Sequence, residues 1–391
     1  MAIADTSDTR LAFIPEVTWG TTTATSAFQK VRYTGENFAH AKATVVSNEI
    51  RSDAEVADLV QVGVSGEGGY DFELSQGPEF NTLFEHALRG TFAQVDSGLF
   101  TGDVGSTSTF TRATGSFLAD GFRAGQSITT TGYTDAANNG AFTVASVAAL
   151  TLTIVETTLV VESGGGNEQI TVAGATLLKG GIEKQSLTFE KFLEGGGTDS
   201  YQRFTGGRMN NFNLDFSTNE IVTGRFDVVG KEGEALDTAI IAGATNLEPN
   251  TNDIFNAVEG AVLTVGGVTG QVFLTNLTMA LTNNAAPRNA IGNLPAIDVR
   301  YGRREITGNI TAYFDASAGG KELYDAFVSH TAGALRWSVD DGTNSYTFHL
   351  PKVKYATGLT NIGGNNEDVL VEATYQALVD TAFGTSVYII A

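Results

Sequence analysis

Most of the chain alternates apolar and polar residues with a period of two. Val60-Gln61-Val62-Gly63-Val64, Tyr70-Asp71-Phe72-Glu73-Leu74, Phe212-Asn213-Leu214-Asp215-Phe216 and Val369-Leu370-Val371-Glu372-Ala373-Thr374-Tyr375 are the clearest runs. Such segments bury one face and wet the other, as in antiparallel sheets, sandwiches and barrels. Helices are few, and the spacing predicts the clearest from about Pro78 to Arg89. Pro78 suits a first turn, and Glu79 suits the positive end of the helix dipole. Phe80, Leu83, Phe84, Ala87 and Leu88 form one apolar stripe, and Gly90 is a natural stop.

A second helix repeats the first. Glu322, Leu323, Ala326, Phe327 and Gly333 lie 243 positions beyond Glu79, Phe80, Leu83, Phe84 and Gly90. Ahead of it, Ile306-Thr307-Gly308 with Phe314-Asp315 matches Val64-Ser65-Gly66 with Phe72-Glu73 at offset 242. Beyond Gly90, Gly174-Ala175 and Thr188-Phe189 match Gly333-Ala334 and Thr347-Phe348 at offset 159. The difference leaves 84 extra residues, 91–174, as an insert. A looser match pairs Asn219-Glu220-Ile221-Val222 with Asn366-Glu367-Asp368-Val369. The expected division is therefore a first unit over 1–90 and 175–232, a small inserted β-domain over 91–174, a connecting segment over 233–271 and a second unit over 272–391. The insert reads as strands Phe142–Val147 and Leu150–Val155 after the turn Asn138-Asn139-Gly140. Gly164-Gly165-Gly166 and Gly195-Gly196-Gly197 read as loop tips.

Composition fits a β-protein rich in tight turns, with 46 Gly against 6 Pro. The 391 residues are 42% hydrophobic, enough to bury real cores. With no cysteine, disulfides and thiol chemistry are excluded. Asp and Glu outnumber Lys and Arg 44 to 23, a net charge of −21. That balance opposes a nucleic-acid grip, which needs a basic face. It does not oppose a surface that DNA slides past without sticking. The insert carries −5 of this charge and the rest of the chain −16. The first residues carry no basic n-region or apolar core, and no stretch approaches the roughly 18 apolar residues of a spanning helix. A soluble, cytoplasmically made protein is expected.

The opening Leu11-Ala12-Phe13-Ile14-Pro15-Glu16-Val17-Thr18-Trp19-Gly20-Thr21 resembles the N-terminus of major tail tube proteins of long-tailed (siphovirus-type) bacteriophages. So do Phe28–Glu36 and Ser47-Asn48-Glu49-Ile50-Arg51-Ser52-Asp53, while Phe110–Val147 looks like a small β-domain grafted into phage structural proteins. The resemblance implies a mainly β fold: two tandem tail-tube β-sandwich or barrel units, each with one flanking helix, plus the inserted all-β domain. It implies a non-enzymatic virion component, assembled in the host cytoplasm into stacked rings around a DNA channel. Its partners would be further copies of itself, the tape measure protein, the tail terminator and DNA in transit, with no membrane and no cofactor. The usual ring has six tube units, so two per chain imply a trimer with pseudo-sixfold symmetry, a hexamer being the alternative. Stacking falls to an N-terminal arm (1–27) and to the loops Ala39–Glu55 and Asn283–Arg300. Candidate contacts there are Phe13, Trp19, Asn48, Glu49, Arg51, Asp53, Arg288 and Arg300.

Candidate lumen carboxylates lie on the repeated strands: Glu67, Asp71 and Glu73, then Asp315, Glu367, Asp368 and Glu372. An acidic wall would repel DNA over about 8 Å at physiological salt. Strand parity alone leaves open which face points inward. No catalytic chemistry competes. His40, His86, His330 and His349 lack metal-ligand spacing, and no Walker A, G-x-S-x-G or H-E-x-x-H pattern occurs. Asp340-Asp341-Gly342-Thr343-Asn344 reads as a hairpin turn rather than a calcium loop, and Trp19 and Trp337 as packing residues. Two alternatives stay open: a porin-like outer-membrane barrel, which shares the acidity, the glycine and the alternating strands, and a carbohydrate-binding or -cleaving tail component.

Overall fold

The computed structural model describes residues 5–23, 27–195, 199–237, 241, 243–266, 268–316 and 319–391. Gly196 and Gly197 of the second glycine loop therefore lie outside the described residues. In chain order come β1 (Thr9–Pro15), β2 (Ala27–Lys30), β3 (Gly35–Glu36), β4 (Ala39–Val46), β5 (Leu59–Glu73) and helix α1 (Pro78–Leu88). The next stretch holds β6 (Ala93–Asp96), β7 (Gly102–Ser106), β8 (Thr109–Arg112), β9 (Ser127–Thr131), β10 (Gly140–Val147), β11 (Thr151–Ile154) and β12 (Gln169–Lys179). Then follow β13 (Leu187–Leu193), β14 (Ser200–Ser217), β15 (Thr223–Val229), β16 (Glu232–Gly233), β17 (Thr245–Leu247), β18 (Ala261–Thr264), β19 (Leu274–Thr282), β20 (Ala286–Arg288), β21 (Asp298–Arg300) and β22 (Glu305–Tyr313). Helix α2 (Gly319–Val328), β23 (Gly333–Asp340), β24 (Ser345–Ile362), β25 (Val369–Ala377) and β26 (Tyr388–Ile390) complete the chain. The fold is mainly β, and its sheets do not close into a barrel within the chain.

Two compact units emerge. Unit 1 gathers residues 1–89, 182–259 and 273–313; unit 2 gathers 90–181, 260–272 and 314–391.

Unit 1 is a sandwich whose two sheets share one strand. In the first sheet β17 runs parallel to β2, followed by β1, β13, the first half of β14 and β16. The second half of β14 lies in the other sheet, between β15 and β19, with β5 beyond β15 and β22 beyond β19. The crossover falls at Gly206, whose φ of +70° only glycine adopts at little cost. The Trp19 ring covers this bend, and its Nε1 donates to the Gly206 carbonyl at 3.0 Å. Between the sheets runs a chain of aromatic rings. Phe189 meets Phe38 at 4.7 Å between centroids, and Phe226 stacks on Phe72 and Phe212, both at 4.8 Å. Helix α1 seals the same face, with Phe80 on Phe72 and Phe84 on Phe212. It begins at Pro78, as expected, and ends at Leu88, two residues before the expected glycine. Arg89 itself adopts the left-handed cap, its N–H bonded to the Glu85 carbonyl.

In unit 2, β12 pairs with β6, β9 and β26; beyond β26 come β24, β23 and β18, with β25 on the other edge of β24. Strands β7, β8, β11, β10 and β9 form a meander-like sheet joined through β9 to β12. The core of this region runs from Val95 to Leu177 and includes Tyr388, with Phe383 and Ile390 packed against it. The expected boundary at 174 falls inside β12, which runs unbroken to Lys179. Gly174, taken as the last residue of the insert, sits at φ +75°, where the pairing with β6 slips by a bulge.

The order β5, α1, β13, β14, β15 recurs as β22, α2, β23, β24, β25, with β6–β12 interposed in the first series. Both long strands span 18 residues. Asn219 and Asn366, in the turns that follow them, both take left-handed backbone. This order sets β13 against β23. The offset-159 match had set Thr188-Phe189 of β13 against Thr347-Phe348 of β24, because short alternating strands share residue patterns whatever their neighbours.

Candidate functional site

The outer face of the second sheet of unit 1 carries no helix. Strand parity sends Tyr70 and Phe72 inward and Glu67, Asp71 and Glu73 outward. Neighbouring strands extend the polar face. Arg225 and Asp227 stand on β15, Asn213 and Asp215 on β14, Asn276 and Thr278 on β19, Glu305 and Thr307 on β22. The sequence pattern had not singled out Asp215, Asp227 and Glu305; only strand pairing brings them beside the three expected carboxylates.

Six carboxylates thus share the face with one guanidinium on the strands, that of Arg225. It is held by Asp71 at 3.1 Å and by Asp227 at 2.8 Å. Partial burial works against its charge, but these bonds outweigh it and raise its pKa. Arg303, just before β22, pairs with Glu305. Asp215 accepts hydrogen bonds from Ser217 and Asn276, both at 2.9 Å. The surface is hydroxyl, amide and carboxylate, with its cations already paired, so it offers no grip for phosphates.

The four other expected carboxylates lie in unit 2. Glu372 points outward from β25, 3.5 Å from the Asn361 amide. Glu367 and Asp368 are exposed in the β24–β25 turn, where Glu367 accepts from the Gly364 N–H. Asp315 precedes α2 and is half-buried. Only Glu372 therefore sits on a regular strand face.

A second feature is the ribbon formed by the far halves of β4 and β5. Its strands are exposed on both faces, including Val45, Val46, Leu59, Val60 and Val62. At its tip Ile50 is 100% exposed, and Arg51 pairs with Asp53 at 2.6 Å. Asn48 and Glu49 are exposed beside them. The loop 283–300 forms the hairpin β20–β21 and meets the ribbon near its base, where the Val64 N–H donates to the Leu294 carbonyl at 3.3 Å. Ile291 at its tip is 105% exposed. Arg300 is exposed, and Arg288 pairs with Asp298 at 3.3 Å. A two-stranded ribbon with bare apolar faces is marginal by itself and marks an interaction surface.

Two of the expected contact residues are covered within the chain itself. Phe13 is 1% exposed, in the middle of β1 with Phe189 beside it at 6.1 Å. Trp19 is half-buried on Gly206, with the Arg208 guanidinium 5.6 Å from its ring. The expected arm is mostly not free: β1 is a central strand between β2 and β13. The segment after it is clamped by Glu16, whose carboxylate accepts from the backbone N–H of Gly20 and Gly206 and from the Ser186 and Thr188 hydroxyls, all at 2.7 Å. Leu11–Ile14 is a continuous apolar run, the mark of a strand buried on both sides, and that signal was available in the sequence. Residues 1–4 and 24–26 of the expected arm lie outside the described residues.

Among the described residues no His, Asp and Glu cluster could hold a metal ion, and no helix is long and apolar enough to cross a membrane. Unit 1 is thus a sandwich with one bare acidic sheet face and a projecting apolar ribbon. The sequence model of the phage tail tube protein family matches residues 6–377, and the chain belongs to that family. It is thus a structural subunit of the virion tail, of a family whose members assemble into the tube. No curated protein matches the sequence.

Proposed function

We propose that the chain polymerises into stacked rings whose inner wall is the acidic sheet face of Glu67, Asp71, Glu73, Asp215, Asp227 and Glu305. The observation that carries this reading is the bare face itself: a sheet covered by a helix and a second sheet on one side, and polar and acidic on the other. Like charge and a retained hydration layer keep passing DNA from sticking, within a Debye length of about 8 Å. Ring closure would pair the edge strands that a single chain leaves open. The β4–β5 ribbon and the 283–300 hairpin would bury their apolar tips on the next ring.

The recurrence of strand, helix and three-strand order supports two tube units per chain. Three chains would then complete a ring with pseudo-sixfold symmetry, joined head to tail. Residues 91–174 would face outward, since a domain of that size would obstruct the channel. Tape measure protein and tail terminator are the expected partners, with assembly in the host cytoplasm. Electron microscopy of the purified assembly, with rotational averaging, tests the reading. Threefold rings with density for β5, β15 and β14 at the bore are expected; a bore lined by α1 or by residues 91–174 would overturn it.

A further inference from the structure

A basic cluster lies inside unit 2. Strand pairing sets Lys179 of β12 opposite Tyr388 of β26, Tyr388 opposite His349 of β24, and His349 opposite Arg336 of β23. Directly paired residues share a face, so the four form one row across the sheet. Arg123, from the segment between β8 and β9, covers this row. Its guanidinium carbon lies 4.7 Å from the Tyr388 ring centroid and 5.2 Å from that of Phe383.

The cluster is rich in donors and poor in anything to receive them. Arg123 is 6% exposed. Its Nη1 donates to the carbonyls of Leu118, at 3.1 Å, and Phe122, while its Nε and Nη2 are buried without a partner. The Nε of Arg336 and the Nε2 of His349 are buried and unpartnered too. His349 Nδ1 is hydrogen-bonded to the Tyr388 hydroxyl. With that hydroxyl donating, Nε2 carries the ring proton and becomes a further donor. Among the described residues, no carboxylate offsets Arg123 or Arg336. The nearest acid acting on Lys179 is Asp120, already paired with Arg112 at 2.7 Å. Burial, with Arg336 nearby, lowers Arg123 to about 9, so its guanidinium remains charged at neutral pH; burial lowers Arg336 as well.

Buried like charges with empty N–H groups are costly, and native folds leave few of them. Water could fill the donors but would leave the charge uncompensated. We propose that Arg123, Arg336, His349 and Lys179 bind a small tetrahedral oxyanion, inorganic phosphate or sulfate, between the inserted strands and the sheet. Guanidinium forks match the oxygen geometry of such an ion, and the imidazole N–H and ammonium add single donors. The ion would join β12, β23, β24, β26 and the segment carrying Arg123. The proposal is independent of ring formation.

Equilibrium dialysis of the full-length chain against radiolabelled phosphate, competed with sulfate, tests it. Saturable retention of one phosphate per chain is expected, with a melting temperature that rises with phosphate at matched ionic strength. Arg336→Gln, at a half-buried position, should weaken retention roughly tenfold or more and remove most of that rise. Arg123→Met should do the same if it folds; Arg336→Gln stands as the test if it does not. No saturable retention by the wild-type chain would overturn the proposal. So would an equal rise in both proteins, the mark of general salting rather than a site.

Discussion

Glu16 is the residue on which the start of the chain depends. One carboxylate gathers two backbone N–H groups and two hydroxyls from three segments that are far apart in sequence. Glu16→Gln keeps the shape and loses the charge, which should cost about 2 kcal/mol. Urea unfolding should show a lower midpoint with an unchanged slope. Phe226 is the hub of the aromatic core, touching Tyr70, Phe72, Phe84 and Phe212. Phe226→Ala should cost about 3–5 kcal/mol by the same measurement. His349 carries the clearest pH dependence. Burial, followed by the charges of Arg123 and Arg336, pushes its pKa down to about 3 from an ordinary 6.5. Between those values the unfolded chain binds a proton that the folded chain refuses. The stabilisation is therefore complete above pH 6.5 and is lost as pH falls toward 3. His349→Gln should flatten that part of the stability profile, as read by thermal melts from pH 4 to 7.

At the scale of elements, the β4–β5 ribbon is separable from the fold that carries it. Its apolar residues have no intramolecular partner layer, so shortening it removes little stability. Replacing Ser47–Asp58 by an Asn-Gly turn should leave melting nearly unchanged. It should abolish stacking, so that sedimentation finds subunits or single rings. Wild-type tube lengths in such a variant would rule out a stacking role. The inserted strands behave differently. Cutting at 91–174 removes β6 altogether and splits β12. Residues Ser97 and Ile170 are already joined by a backbone hydrogen bond of 2.9 Å. Excision of 98–169 with a two-residue turn should thus preserve the β6–β12 hairpin and ring formation, whereas excision of 91–174 should yield less soluble protein.

For the whole molecule, net charge is a statement about transport rather than folding. The carboxylates of the bare sheet face are solvated on one side, so reversing some of them leaves the core intact. A phage carrying Glu67→Lys and Glu73→Lys should still build tubes of normal diameter. Its DNA should leave more slowly, most clearly at low salt, where attraction to the wall is least screened. Equal ejection rates at all salt concentrations would place those residues away from the channel.

The sequence by itself determined the class of structure, because a period of two over most of the chain admits little but half-buried strands, and a 3.6-period stripe such as Phe80–Leu88 admits little but a helix. It also determined that Glu67, Asp71 and Glu73 share one face, since parity along a strand is a local property. Tertiary structure alone decided which strands lie beside one another. That is why Asp215, Asp227 and Glu305 joined the acidic face unforeseen, and why β13 took the place in the repeat that short sequence matches had given to another segment. It also decided that Phe13 is core and that β12 continues past Gly174. Burial and pairing depend on partners a hundred or more residues away, and no local pattern carries their positions.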